Sequence, residues 1–596
     1  MASVSTTSSA TGNDERLALL IFVIVFPYIF FRNAWITEDA FINFRVIENF
    51  LSGEGPVWNI GERVQVFTSP LWMLLTTGAV AITGEFFFTT IFLSFGLTTL
   101  TLSNLYFASL RIPAVFFVLA TILLLTRCFV DYSSSGLETP LVALTLSCFV
   151  HLWCRLERGA YQTLLLTLVA SLCVITRHDS LLLTVPFLVV QVFRSIRSIS
   201  GSSWLGQGRQ VLVGAMPLFL WTAFSVFYYG SPVPNSANAK IVSGNVTFDV
   251  ARQATRFFEY MQHFGPVELC LISAAVFISA AYRTRHLGPL LSALLLFTAY
   301  LFSVGGDYMA GRFFVGPSVV SAIILANIIS SMVEAQQDVA GQRWAMDRRI
   351  SQTLIFFPLV VLVVVRLTGA NSSEYIRAKI VDGIADERGI YYGYTDFITV
   401  AKFGLSHPFR TTGEQIRESL GSGKEILIAC HIGMVGYYAG ANRYIVDPLA
   451  LSDAFLGRMP LRTGTQRVGH FERYVPRQYL ESVVTGENRF THPLVRQYYD
   501  DIVAATRKPL LAPDRWGALL RLNGRHYRDL GNVSESDLGG PVLIDGDVNF
   551  VMHSCLGGQK TPVYVVREKV VGSNRLEPFR GSAQSADLPR TTTNAR

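Results

Sequence analysis

Apolar residues in this chain come in long runs broken by short polar stretches. The first extends from Leu17 to Phe31, and others follow at about residues 71 to 95, 112 to 130, 140 to 154, 161 to 176, 181 to 193, 210 to 229, 263 to 282, 287 to 303, 314 to 333 and 352 to 368. Runs near 20 residues long can cross a bilayer as helices, and shorter ones are tolerated where helices line a protein-walled cavity. The pattern predicts a polytopic α-helical membrane bundle of about 11 transmembrane helices over residues 17–370, with an extra span or a re-entrant turn at Gly84-Glu85.

Beyond this the pattern changes. Within 371–580, KEILIACHIGMVGYYAG followed by RYIVD reads as strand, glycine turn, helix and strand, which predicts a soluble α/β domain. His431-Ile432-Gly433 at the strand end has the outline of a phosphate-binding turn, although one glycine is a weak signal. The Ser/Thr-rich start, within residues 1–16, and the tail, 581–596, hold too few apolar residues to pack and are predicted to lack fixed structure.

Composition supports the same division. The 596 residues exceed a single core, and a chain half hydrophobic and 16% charged, with mean hydropathy +0.37, is unusual for a soluble protein. The net charge of +7 does not indicate a nucleic-acid partner, because the arginines sit in short clusters between apolar runs. Arg155/Arg158, Arg194/Arg197/Arg209, Arg283/Arg285 and Arg343/Arg348/Arg349 fall in alternate loops. If these loops are cytoplasmic, the N-terminus is cytoplasmic too and the C-terminal domain lies outside. Asp14 and Glu15 before the first run, with no A-x-A site after it, argue for a retained helix over a signal peptide. Five of the seven cysteines lie in apolar runs as small core residues; Cys430 and Cys555 remain, and their pairing is left open.

The unusual residues collect in the opposite set of loops: Thr37 to Pro70, Asp131 to Pro140, Arg177-His178-Asp179, Gly230 to His263, and Gly305 to Phe313. Acidic residues at helix mouths are costly unless they face a polar cavity, so a shared site is the economical reading. In the first loop, Phe41, Phe44, Ile47 and Phe50 stand at helical spacing, predicting an amphipathic helix in the membrane interface from Asp39 to Phe50. Glu38 and Asp39 then sit between the membrane helix and the surface helix. There a carboxylate can act as general base, with Arg45 or Arg63 steadying negative charge; Thr37, Glu38 and Asp39 can also simply cap the helix. Arg177 and His178 are candidates to hold a phosphate, and Asp179 completes that polar turn. Glu138 precedes a helix as site or capping residue, and the spacing of Asp307 and Arg312 allows a mutual ion pair. Residues Asp447 to Asp453 and His470 to Tyr474 are candidates for contact with a polymeric acceptor. No cofactor is certain. The metal question stays open with room for a divalent cation, since an adjacent Glu-Asp pair alone is a weak metal signal.

These stretches carry a resemblance. TEDAFINFRVIENFLSGEGPVWNIGERVQVFTSPLW, SSSGLETPL (133–141), GGDYMAGRFF (305–314), YIVDPLALSDAFLGRMP (444–460) and RVGHFERYVP (467–476) resemble the mycobacterial-type terminal β-(1→2)-arabinofuranosyltransferase family, within the GT-C superfamily of membrane glycosyltransferases. The resemblance implies an inverting transfer of arabinofuranose from a polyprenyl-phosphate donor onto a glycan hydroxyl, with an Asp of the first outer loop, here Asp39, as base. The implied partners are the lipid donor, a glycan acceptor and membrane lipid. Transfer of another sugar such as mannose, a secondary transporter and a non-catalytic glycan-binding protein are the rival readings.

Overall fold

The computed structural model describes residues 5–155, 161–198, 203–241, 256–257, 259, 261–262, 265–304, 306–339, 348–367, 380–381, 384–420, 426–467, 469–534, 536–538, 543–544, 563–566 and 575–578. Nearly every apolar run of the sequence becomes a helix. The first helix spans Ser5–Asn33 and therefore begins inside the stretch 1–16 expected to lack structure. No proline interrupts that stretch, so nothing in it stops the helix of the apolar run from continuing backwards. The tail 581–596 lies outside the described residues.

Phe87–Ala108, Ser180–Arg197 and Arg312–Ala335 are long and apolar enough to cross a membrane. Trp204–Gly214 and Met216–Tyr229 pass together as one span bent by 53°. Pro217 explains the break, because its ring removes a backbone donor at the start of the second half. Gly214 lets the bend press onto the neighbouring helix, where an added Cβ would lie 2.7 Å from the Leu164 carbonyl. Shorter apolar helices, among them Thr139–Arg155, Gln162–Thr176 and Leu287–Ser303, complete the bundle. Val23, Phe92, Phe193, Leu220, Phe277, Leu295 and Phe357 point outward from it, the apolar belt that lipid contact requires. The architecture is a polytopic helical membrane fold. At Gly84, φ is +71°, and Glu85 accepts hydrogen bonds from the Phe87 and Thr89 amides at 2.7 and 3.0 Å, so the run predicted at 71–95 splits into Pro70–Thr83 and Phe87–Ala108.

The C-terminal elements contain a mixed five-stranded sheet in the order Tyr444–Val446, Ile426–Ala429, Val563–Val566, Arg575–Pro578, Leu543–Ile544. The first two strands are parallel and joined through the helix Met434–Tyr438, as the sequence predicts. Cys430, at the end of its strand, is disulfide-bonded; Cys555 lies outside the described residues. An aromatic core of Phe455, Tyr479, Phe490, Tyr498 and Tyr499 fills the far side. A further core is shared with the first loop, where Ile42, Val46, Trp58 and Val64 pack with Leu427, Ile432, Val435 and Ile445. The helix Ala40–Leu51 is buried on nearly all sides, not only on its predicted apolar stripe. This corrects the expectation that it lies in the membrane interface: Met434–Tyr438 covers the face assigned to lipid, with Phe41 and Phe44 against Tyr437.

Candidate functional site

Three loops are pinned together at one end of the bundle. The Thr37 amide donates to the Ser135 carbonyl at 2.9 Å, Trp35 Nε1 to the Asp131 carbonyl at 2.6 Å and Trp72 Nε1 to the Gly136 carbonyl at 3.1 Å. Gly136 has φ +80°, and a Cβ there would sit 2.7 Å from that of Ala40, so only glycine allows this approach. The turn thereby sets Glu138 near the head of the helix Ala40–Leu51.

Glu138 is the centre of a buried ionic cluster. Its Oε1 accepts from Arg177 Nη1 at 2.8 Å and from Arg312 Nη2 at 2.6 Å. Arg177 Nε in turn donates to both oxygens of Asp179, at 2.9 and 2.8 Å, and its guanidinium lies 4.4 Å from the Phe313 ring centre. Burial pushes the Glu138 carboxyl up, but the two guanidiniums outweigh it and hold the group at about 2. Burial likewise opposes the charge on Arg177, yet Asp179 and Glu138 keep it above its ordinary range. His178 is held below its ordinary value by burial and stays a neutral ring near neutral pH. Arg312 Nε is buried without a hydrogen-bond partner among the described residues. A tight pocket of about 20 Å³ opens between Glu138, Arg177, Asp179, Phe297 and Arg312.

The acidic pair divides. Asp39 heads the helix Ala40–Leu51 but makes no side-chain capping bond to it, and it is half-buried. Capping therefore does not account for Asp39. Glu38 turns the other way, into the C-terminal elements, where its Oε1 accepts from the Met434 amide at 3.0 Å. A Cβ on Gly433 would overlap the Glu38 backbone oxygen and lie 2.5 Å from Oε1. Burial, then Asp39 and Glu387, push the Glu38 carboxyl up to about 8 against the Gly433 and Met434 amides. The turn with the outline of a phosphate loop thus gives its Met434 amide to a carboxyl of its own chain.

Several placements differ from the sequence reading. Arg45 is fully buried, stacks 4.3 Å from the Trp58 ring centre and donates to the carbonyls of Trp58, Gly436, Ala441 and Arg443. Arg63 donates to the carbonyls of Tyr228, Ala505 and Lys508. Both tie the first loop to other segments instead of steadying a substrate charge. Asp307 does not pair with Arg312; it accepts from the Met309, Gly311 and Phe313 amides at 3.0, 2.9 and 3.1 Å and shapes the turn, while Glu138 takes Arg312. Asp447 and Asp453 are buried and accept backbone amides, and Tyr474 is buried, so they do not present themselves to an acceptor. His470 is only half-buried and meets Tyr308 edge-on at 5.9 Å. Lys240, not singled out in the sequence, donates to Tyr308 Oη at 2.9 Å on the same rim; only its place in the loop after Gly230 pointed to it. Glu387, which accepts from Thr37 Oγ1 at 3.2 Å, was also missed. Among the described residues no group of three or more His, Cys, Asp or Glu side chains is gathered to hold a metal ion, and the Glu38–Asp39 pair does not fit one because Glu38 is bound to backbone amides.

No protein-family model matches the chain. Two curated relatives do. The chain is similar to terminal beta-(1->2)-arabinofuranosyltransferases. That of Mycobacterium tuberculosis is 25% identical over 348 residues, covering 50% of this chain and 53% of the relative. That of Corynebacterium glutamicum is 26% identical over 374 residues, covering 54% and 52%. The chain thus matches about half the length of these arabinofuranosyltransferases, and the resemblance read from the sequence is borne out to that extent. Among solved structures, ArnT from Cupriavidus metallidurans bound to undecaprenyl phosphate overlaps with a TM-score of 0.41 at 14% identity, over 76% of this chain and 87% of that one. The archaeal oligosaccharyltransferase AglB from Archaeoglobus fulgidus, in complex with an inhibitory peptide and a dolichol-phosphate, overlaps with 0.40 at 13% identity, over 75% and 65%.

Proposed function

We propose that this protein is an inverting membrane glycosyltransferase that moves arabinofuranose from a polyprenyl-phosphate donor to a hydroxyl of a cell-envelope glycan, adding terminal β-(1→2) residues to arabinan. The observation that carries the reading is the place of Asp39, half-buried at the head of the helix Ala40–Leu51, where the Gly136 turn packs against Ala40 and leads into Glu138 and its partners Arg177 and Arg312. The similarity to arabinofuranosyltransferases supports the sugar and the linkage.

In this reading Asp39 takes the acceptor proton as the acceptor oxygen attacks the anomeric carbon and the polyprenyl phosphate departs, in a single displacement through an oxocarbenium-like state. A phosphate ester leaves readily, so one base suffices. Arg312, with its open Nε, faces the negative charge that develops on the leaving phosphate. Glu38 positions Asp39 by fastening the head of the helix to the turn at Gly433.

Topology supports an outer-face site. If Pro70–Thr83 enters and leaves on the same face and each other apolar helix among the described residues crosses once, with the bent pair as one, Arg111, Arg155, Arg194 and Arg285 all fall on the side opposite the cluster, which the positive-inside rule makes cytoplasmic. The disulfide at Cys430 agrees, since such bonds persist outside the reducing cytoplasm. The site and the C-terminal elements, from about residue 371, then face outward from the plasma membrane. No cytosolic nucleotide sugar reaches that face, so an activated sugar has to arrive on a lipid.

Transfer of radiolabelled arabinofuranose from its decaprenyl-phosphate to a short arabinan acceptor by the purified protein tests the proposal. Product with the β-(1→2) linkage is expected. No transfer from this donor, but transfer from a polyprenyl-phosphate mannose, would overturn the sugar and keep the reaction class; no transfer from any lipid-linked sugar would discard the enzyme reading.

A further inference from the structure

The helix Pro513–Asn523, in the C-terminal elements, has two apolar faces. Ala518, Leu519 and Leu522 pack inward. Trp516 and Leu520, four residues apart and so on one side of the helix, are 44% and 78% exposed, and Leu511 in the turn leading into it is 75% exposed. Large apolar side chains so exposed favour a burying environment when one is at hand.

The helix is locked to the end of a membrane helix. Arg515 donates to the Phe227 carbonyl at 2.5 Å and to the Tyr228 carbonyl at 3.3 Å, and Asn523 donates to the Gly230 carbonyl at 2.8 Å, so both satisfy the open carbonyls that end Met216–Tyr229. Gly230, at φ +82°, is held so close that a Cβ would lie 2.6 Å from Leu519. The Trp516 ring stands 6.2 Å from that of Phe227. Phe227 continues the outward-facing strip of Leu220 and Phe224 on the bent span, and a shallow, mostly apolar depression of about 560 Å³ lies between Val226, Pro232, Trp516 and Leu520. Just past the helix, Arg525 is exposed.

We infer that Pro513–Asn523 is a membrane-interface anchor: Leu511, Trp516 and Leu520 enter the lipid leaflet on the side of the carboxylate–arginine cluster, with Arg525 available to lipid phosphates. The occupant is lipid because the patch is continuous with the lipid-facing strip of a membrane span and carries the Trp and Arg pairing that suits the boundary between acyl chains and headgroups. The anchor holds the C-terminal elements at a fixed height above the bilayer. It rests on the membrane fold and not on the sugar chemistry, so its test does not depend on transfer activity.

Nitroxide labels at Leu520→Cys and, as a water reference, at Glu487→Cys, in a Cys148→Ser/Cys270→Ser background that removes the two exposed free cysteines, are read in lipid nanodiscs by power saturation with oxygen and with a water-soluble nickel chelate. The Leu520 label should be reached by oxygen and protected from nickel, while the label at 487 shows the reverse. A Leu520 label open to nickel like the reference, or shielded from both reagents as under a second copy, overturns the inference. If labelling disturbs the helix, quenching of Trp516 by brominated lipid, taken as the difference between wild type and Trp516→Phe, gives the same decision: quenching is expected, and none overturns it.

Discussion

The two ends of the helix bundle use arginine in opposite ways. At one end Arg177 and Arg312 are half-buried against carboxylates, with Glu138 between them and Asp179 beside Arg177. At the other, Arg285 donates to the Trp153 and Cys154 carbonyls, Arg155 to the Phe107 carbonyl, and Arg194 and Arg285 lie near the Trp153 ring. There the cations answer helix C-termini and aromatic faces, which needs no substrate. Buried charges at the first end have to be matched one by one, because an unmatched ion away from water is costly. The difference separates arginines that close helix ends from arginines that pair with carboxylates.

Removing the matched carboxylate should have the largest effect on stability. Glu138→Ala leaves Arg312 without its carboxylate and Arg177 with Asp179 alone, and should lower unfolding stability in detergent by about 3 kcal/mol; a loss no larger than that of Arg285→Ala would erase the contrast between the ends. Gly433→Ala should act on rate instead, since the added methyl displaces Glu38 and with it Asp39. A fall of up to ~10²-fold in kcat with little change in KM for the lipid donor is expected from a displacement of about 1 Å, and an unchanged kcat would remove the positioning role of the turn.

The pH dependence of stability offers a finer probe. The folded protein keeps the Glu38 proton up to about pH 8, whereas the unfolded chain releases it near 4.5. The group therefore costs more stability as pH rises through that window and no more above it. Glu38→Gln keeps the oxygen that accepts from Met434 and should flatten this decline in thermal unfolding curves; a parallel decline in both proteins would show that Glu38 is ionised. Arg285→Ala should do least, about 0.3–1 kcal/mol from one lost helix-end interaction, with transfer rates equal to wild type.

Much of the bundle was legible because apolar runs report helices directly, and the break at Gly84-Glu85 could be seen in advance because both residues terminate or restart a helix. The candidate carboxylates were legible for a similar reason: acidic residues at helix mouths stand out against an apolar background. Their partners were not. Arg45 lies six residues after Asp39 yet is held by carbonyls almost 400 residues away, while Arg312 reaches Glu138 from another loop. Nothing local distinguishes these two arginines. The stripe Phe41, Phe44, Ile47 and Phe50 marks one face of its helix, but periodicity cannot show that Met434–Tyr438 covers Phe41 and Phe44 on that face while Phe50 stays partly exposed. The glycine turn at 431–433 has only the outline of a phosphate-binding turn, and its Met434 neighbour donates instead to the Glu38 carboxyl, which no pattern around either segment reveals.

The most direct test of the account compares wild type with Asp39→Asn in the transfer assay, using the decaprenyl-phosphate donor and a short arabinan acceptor. The substitution keeps size and much of the hydrogen bonding but removes the base, so transfer should fall by about 10²-fold or more, with the fold and the Glu138 cluster retained as judged by the same thermal midpoint. Equal transfer by the two proteins would contradict the assignment of Asp39 as the base and detach the buried cluster from catalysis.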